Sequence, residues 1–117
     1  VGFAGSVTSY EGLDYVVEAL AALRKQGVNF NFLIIGGGKF LPEIQRLVTK
    51  LGLGENTRFI GNVDSRDMPV YLSSIDIFPI ARKSLPVTEL VSPIKPLEAM
   101  AIGGAVVLSD VSPHSAY

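Results

Sequence analysis

Lys95 and Glu98 stand on either side of Pro96 and Leu97 in the stretch Ser92-Pro93-Ile94-Lys95-Pro96-Leu97-Glu98-Ala99-Met100-Ala101. Proline suits the first turn of a helix, where no N–H is needed, and the residue before it resists helical conformation. Lys95 therefore falls at the mouth of a helix and Glu98 in its first turn. A cation and a carboxylate so placed could hold a phosphate and a sugar hydroxyl respectively. The same spacing fits a surface ion pair with a carboxylate that complements the helix dipole. Spacing alone leaves both open.

The run Gly36-Gly37-Gly38 offers a second kind of chemistry, because glycine lets backbone N–H groups approach a phosphate. Two phosphate-loop patterns fail on it. A dinucleotide fingerprint needs glycine where Leu41 stands and belongs after the first strand. A Walker loop needs glycine in place of Leu33 and Ser or Thr in place of Phe40. What remains is a tight strand-to-helix turn or a backbone surface beside a nucleotide. His114 is the sole histidine, far in sequence from any acid–base partner, and reads as a solvated loop residue. Arg82, Lys83 and Glu89 fall in a long irregular segment of the kind that often carries function, although each by itself reads as a solvated charge.

Composition narrows the classes. The 117 residues carry 10 Lys+Arg against 11 Asp+Glu, a formal charge of −1, which gives no electrostatic footprint for nucleic acid. Absence of cysteine excludes a disulfide scaffold and a Cys-based zinc site, and one histidine leaves no histidine cluster for a metal. At 48% hydrophobic and 18% charged residues the chain is not a disordered one. No apolar run reaches the roughly 18 residues of a membrane span, and no signal peptide is visible. The expected location is cytoplasmic. The length suits one domain, 1–117, and the start at Val1, already inside an apolar run, reads as a segment of something longer.

The elements that must position these residues follow from hydrophobic periodicity. Residues 1–4 read as a buried strand ending at Gly5-Ser6. Leu13, Val16, Val17 and Leu20 recur at helical spacing, with Asp14 and Glu18 early, Arg24 and Lys25 late, and Gly27 as the stop. Residues 30–35 are a second strand, and 42–51 a second helix. Residues 57–60 form a third strand, 65–73 a short third helix and 75–80 a fourth strand. After an irregular stretch, a helix opens at Pro96 and runs to about 102, and 105–108 make a fifth strand. Strands that lack clean alternation have both faces covered. Strand and helix in regular succession predict an α/β fold, a Rossmann-like doubly wound parallel sheet. In such sheets ligands bind outside the carboxyl ends of the strands.

Four stretches in order carry a resemblance: Gly5-Ser6 through Tyr10-Glu11-Gly12-Leu13-Asp14; Ile34-Ile35-Gly36-Gly37-Gly38; Phe59-Ile60-Gly61-Asn62-Val63; and Lys95-Pro96-Leu97-Glu98-Ala99-Met100-Ala101 with residues 103–110. Together they resemble the C-terminal, nucleotide-sugar-binding domain of retaining glycosyltransferases of family 4, the group 1 enzymes with the GT-B fold. The resemblance implies a UDP- or GDP-sugar donor, whose glycosyl group is transferred with retention. It also implies an N-terminal acceptor domain absent from this chain, peripheral membrane contact through that missing domain, and continuation of the domain past the fifth strand. No metal or cofactor is expected, nor a protein base. The donor-binding residues it implies are Gly5, Ser6, Gly36, Gly61, Asn62, Val63, Arg82, Ile94, Lys95 and Glu98. Among these, Glu98 matches the glutamate that grips the ribose, and residues 61–63 match the segment lining the base.

The chain departs from that pattern in three places. Many members have a basic residue where Ser6 stands and another where Glu11 stands. The family's first paired glutamate falls on Leu90, with Glu89 one residue out of register. Lys95, or failing it Arg82, is then the expected phosphate cation. Rival readings are a nucleotide-sugar epimerase, whose extra acid–base residues are not found, and a receiver-like domain, whose carboxylates Gly5-Ser6 and Gly61-Asn62 do not supply. A non-catalytic nucleotide-sugar-binding module stays open.

Overall fold

The computed structural model describes residues 1–85, 100 and 103–109. Five strands form, β1 (Gly2–Ala4), β2 (Phe32–Ile35), β3 (Thr57–Gly61), β4 (Ile77–Ile80) and β5 (Ala105–Leu108), with helices α1 (Leu13–Lys25), α2 (Leu41–Lys50) and α3 (Met68–Ser73). Every ladder among them is parallel: β1 with β2, β2 with β3, and β4 with β5. Hydrogen bonds join them as two sheets, β1-β2-β3 and β4-β5. β4 lies against β1 without a ladder among the described residues, which gives the spatial order 3-2-1-4-5. The chain moves outward from β1 to β3, then crosses back to β4. The reversal lies between β1 and β4, where open α/β sheets leave a crevice for ligands.

Helices cover both faces of the sheet. Phe3, Phe32 and Ile34 pack with Leu13, Val16, Val17 and Leu20 of α1 and with Ile44 and Val48 of α2. The opposite face sets Ile35 and Phe78 against Met68, Tyr71 and Leu72 of α3. Leu13 and Ile44 are fully buried, so truncating either to alanine costs about 2–5 kcal/mol. Helix α1 ends as its sequence predicts. Gly27 takes φ 84°, its N–H donates to the Arg24 carbonyl, and the Val28 N–H donates to the Leu23 carbonyl.

Several elements start later than periodicity suggests, and side chains or turns claim the backbone ahead of them. Helix α3 begins at Met68 instead of residue 65, because the Asp64 carboxylate accepts the Arg66 N–H at 3.0 Å and its carbonyl accepts the Asp67 N–H at 2.9 Å. Strand β2 begins at Phe32; ahead of it the Asn56 carboxamide donates to the Phe30 carbonyl and the Val1 amino group to the Asn31 carbonyl. Strand β4 begins at Ile77, because the Ile75 N–H closes the end of α3 on the Leu72 carbonyl. The helix expected from Pro96 lies outside the described residues except at Met100, which is helical and whose carbonyl accepts the Gly103 N–H.

Candidate functional site

Backbone alone stitches the carboxyl ends of β1, β2 and β3 together. The Gly5 N–H donates to the Ile35 carbonyl at 3.0 Å and the Gly36 N–H to the Gly61 carbonyl at 2.7 Å. One step further out, the Val7 N–H donates to the Gly37 carbonyl and the Phe40 N–H returns to the Val7 carbonyl. This closeness explains two of the three glycines in the run. A Cβ on Gly36 would stand 2.0 Å from the Gly5 carbonyl oxygen, and one on Gly38 would stand 2.3 Å from that of Val7. A Cβ on Gly37 would make only ordinary contact, 3.8 Å from the Asn62 carboxamide. The tight-turn reading thus accounts for Gly36 and Gly38. Gly37, beside Asn62, is not required by the turn.

Strand β3 reaches this edge through a bulge. Ile34 pairs with Phe59 but Ile35 pairs with Gly61, so Ile60 is the extra residue. Bulges re-aim the chain beside binding sites, and this one leaves Asn62 exposed. Val63 turns inward instead, packing on Ile35, Ile75 and Phe78. Ser6 is exposed between Gly5 and the buried Val7. Just beyond, Asp64 is held below the ordinary carboxylate range by the Arg66 side chain and N–H.

The other side of the crevice is electrostatic. Arg82 follows β4, and its Nε stands 3.6 Å from Glu11 Oε1, with only 9% of the arginine side chain and 6% of the glutamate side chain exposed. Next to it, Lys83 Nζ donates to Asp14 Oδ2 at 2.9 Å. The Tyr10 ring lies 5.7 Å from the Arg82 guanidinium carbon, and the Tyr15 ring 4.9 Å from Lys83 Nζ, both within cation–π range. The Lys83 N–H bonds the Tyr10 carbonyl at 2.8 Å, and the Ser109 hydroxyl bonds the Arg82 carbonyl at 2.7 Å. Gly12 completes the fit: it takes φ 75°, and a Cβ there would lie 1.7 Å from the Ala81 carbonyl oxygen. The reading of Arg82 and Lys83 as solvated charges is therefore corrected. Both are ion-paired, because the β4 loop folds onto the entry to α1.

Of the expected site residues, Gly5, Ser6, Gly36, Gly61 and Asn62 gather on one edge, and Arg82 lies across the β1 loop from them. Val63 serves the core beneath. Ile94, Lys95 and Glu98, with Glu89 and His114, lie outside the described residues. Sequence reasoning missed the pairing of Glu11 with Arg82 and of Asp14 with Lys83. The latter partners are 69 positions apart, and no local spacing signals them.

Comparison with known proteins places this geometry. The family model of group 1 glycosyl transferases matches residues 1–117. The chain is 29% identical over 68 residues to a GDP-mannose-dependent alpha-(1-6)-phosphatidylinositol monomannoside mannosyltransferase of Mycolicibacterium smegmatis, covering 58% of this chain and 18% of that protein. It superposes on Alr3699/HepE of Anabaena in complex with UDP, with TM-score 0.82 and 20% identity over 98% of this chain and 30% of that one. It also superposes on the C-terminal domain of a glycosyl transferase group 1 family protein, LpcC, from Francisella tularensis, with TM-score 0.70 and 23% identity over 98% and 70% of the two chains. The chain spans between 18% and 29% of the length of the curated relatives it matches. Its fold is that of the GT-B glycosyltransferases. The match along its whole length makes the chain a member of the group 1 glycosyl transferases.

Proposed function

We propose that this chain is the donor half of a retaining glycosyltransferase, binding a nucleoside-diphosphate hexose at the carboxyl edge of its sheet. The family match over residues 1–117 carries this reading. Its likeness to the Francisella C-terminal domain supports placing it after an acceptor domain. In this reading the diphosphate lies along the backbone of the β1 and β2 loops, where the N-terminus of α2 favours an anion. The base lies beside Gly61, Asn62 and Val63. Glu98 takes the ribose hydroxyls, and Lys95 or Arg82 supplies the cation, with Ile94 lining the donor. Proton transfer passes between donor and acceptor, so the site needs to orient more than to titrate. The chain by itself, without an acceptor domain, transfers nothing. The enzyme is placed in the cytoplasm, meeting the membrane through its other domain.

The mannosyltransferase relative is GDP-mannose-dependent and the Anabaena protein is seen with UDP, so both nucleotides enter the test. Calorimetric titration of the full-length protein with UDP, GDP and ADP is expected to show binding of UDP or GDP. Absence of binding by any nucleotide overturns the reading. NMR of the product's anomeric proton then reads retention directly.

A further inference from the structure

The ion pair between Glu11 and Arg82 is a poor way to hold two loops together. Removing two charges from water costs several kcal/mol per ion, and apolar residues of similar volume often do the same work at least as well. The loops are also joined without it, through the Lys83 N–H on the Tyr10 carbonyl, the contact of Gly12 with Ala81, and the Lys83–Asp14 pair. What the pair adds is orientation. Glu11 Oε1 faces the guanidinium on its Nε side at 3.6 Å, a charge contact longer than a hydrogen bond, the Tyr10 ring lies alongside, and the Ser109 hydroxyl fixes the carbonyl of the same arginine. All of this stands where the strand order reverses between β1 and β4, the crevice that receives ligands in this type of sheet.

We propose that Glu11 is a positioning residue for the donor site: its buried carboxylate aims the Arg82 guanidinium, and with it residues 81–85, at the diphosphate of the donor. This rests on the donor-binding reading above and deepens it. A guanidinium is a planar fork that matches phosphate oxygens in two-point geometry, so its aim governs its contribution. Lysine acting as a point charge would not need such a brace. The carboxylate at residue 11 is thus the brace for a cation supplied from β4.

The test compares UDP with uridine, or GDP with guanosine if GDP binds better, on the full-length protein. Glu11→Asp keeps the charge but withdraws it by one methylene. It is expected to weaken the diphosphate about tenfold while leaving the nucleoside within about twofold, the scale for loss of one charge-assisted hydrogen bond to phosphate. Arg82→Lys should do likewise, and the double variant should be no weaker than Arg82→Lys alone, because the two residues act as one unit. Circular dichroism and thermal melting check that each variant is folded. Equal losses for nucleotide and nucleoside, unchanged diphosphate affinity in a folded Glu11→Asp, or additive effects in the double variant overturn the proposal. Failure of the wild type to bind any nucleotide overturns the donor-binding reading and this proposal with it, so the two failures are told apart.

Discussion

Gly36→Ala puts the backbone account of the site under the most direct strain. The new Cβ would lie 2.0 Å from the Gly5 carbonyl oxygen, where ordinary contact begins at 3.4 Å, so the β1 and β2 loops must separate by about 1.4 Å. That opening loosens two hydrogen bonds, Gly5 N–H to Ile35 and Gly36 N–H to Gly61, each contributing about 0.5–1.5 kcal/mol. The residue also sits at φ 116°, where a side chain costs about 1–3 kcal/mol. The total is about 2–6 kcal/mol. Gly37→Ala is the internal control. Its Cβ meets only the Asn62 carboxamide, at 3.8 Å, so its cost stays within about 0.5 kcal/mol. Gly38→Ala falls between, with a close approach to the Val7 carbonyl but no left-handed φ. Urea unfolding of the three variants measures the series. Equal midpoints for Gly36→Ala and Gly37→Ala would refute the reasoning, because the approach of Gly5 and the φ of 116° both set Gly36 apart from Gly37.

Glu11→Ala leaves the Arg82 charge buried without this partner and is expected to cost about 3–5 kcal/mol, against about 0–1 kcal/mol for Glu43→Ala, which breaks an exposed pair with Arg46; urea unfolding compares them. Glu98→Ala should weaken nucleotide binding by about 1–3 kcal/mol in a folded variant, read by calorimetry. Lys95→Ala should weaken the nucleoside diphosphate while sparing the bare nucleoside; equal responses would make the lysine structural or solvated. The isolated 117-residue chain should show no sugar transfer in a radiolabelled donor assay free of contaminating enzyme.

The sequence carries what depends on neighbours along the chain. Leu13, Val16, Val17 and Leu20 mark α1 by their spacing, and they are the residues buried in it. The strand at 105–108 is equally local and falls where periodicity puts it. Element starts are less legible, because they depend on competition for single backbone groups. Asp64 captures the Arg66 N–H and delays α3, although residues 65–67 carry no signal against helix that their spacing would reveal. The site shows the same division. The glycine run reads from sequence as a turn or a backbone surface beside a nucleotide, but the reason for Gly36 is the Gly5 carbonyl and for Gly38 the Val7 carbonyl, both brought in by parallel pairing of β1 with β2. The partners of Arg82 and Lys83 are likewise supplied by the return of the chain to β4 beside β1. Such contacts are set by topology, not by spacing.

A crystal structure of the full-length protein with the nucleotide that binds it best tests the central claim most directly. The account predicts the diphosphate within hydrogen-bond reach of the backbone at Gly5, Ser6 and Gly37, the base beside Gly61 and Asn62, and the Arg82 guanidinium facing the phosphates with Glu11 behind it. A nucleotide seated away from this edge, such as in the apolar groove that Tyr15, Leu23, Ile77 and Val107 line between α1 and the β4–β5 pair, would contradict it.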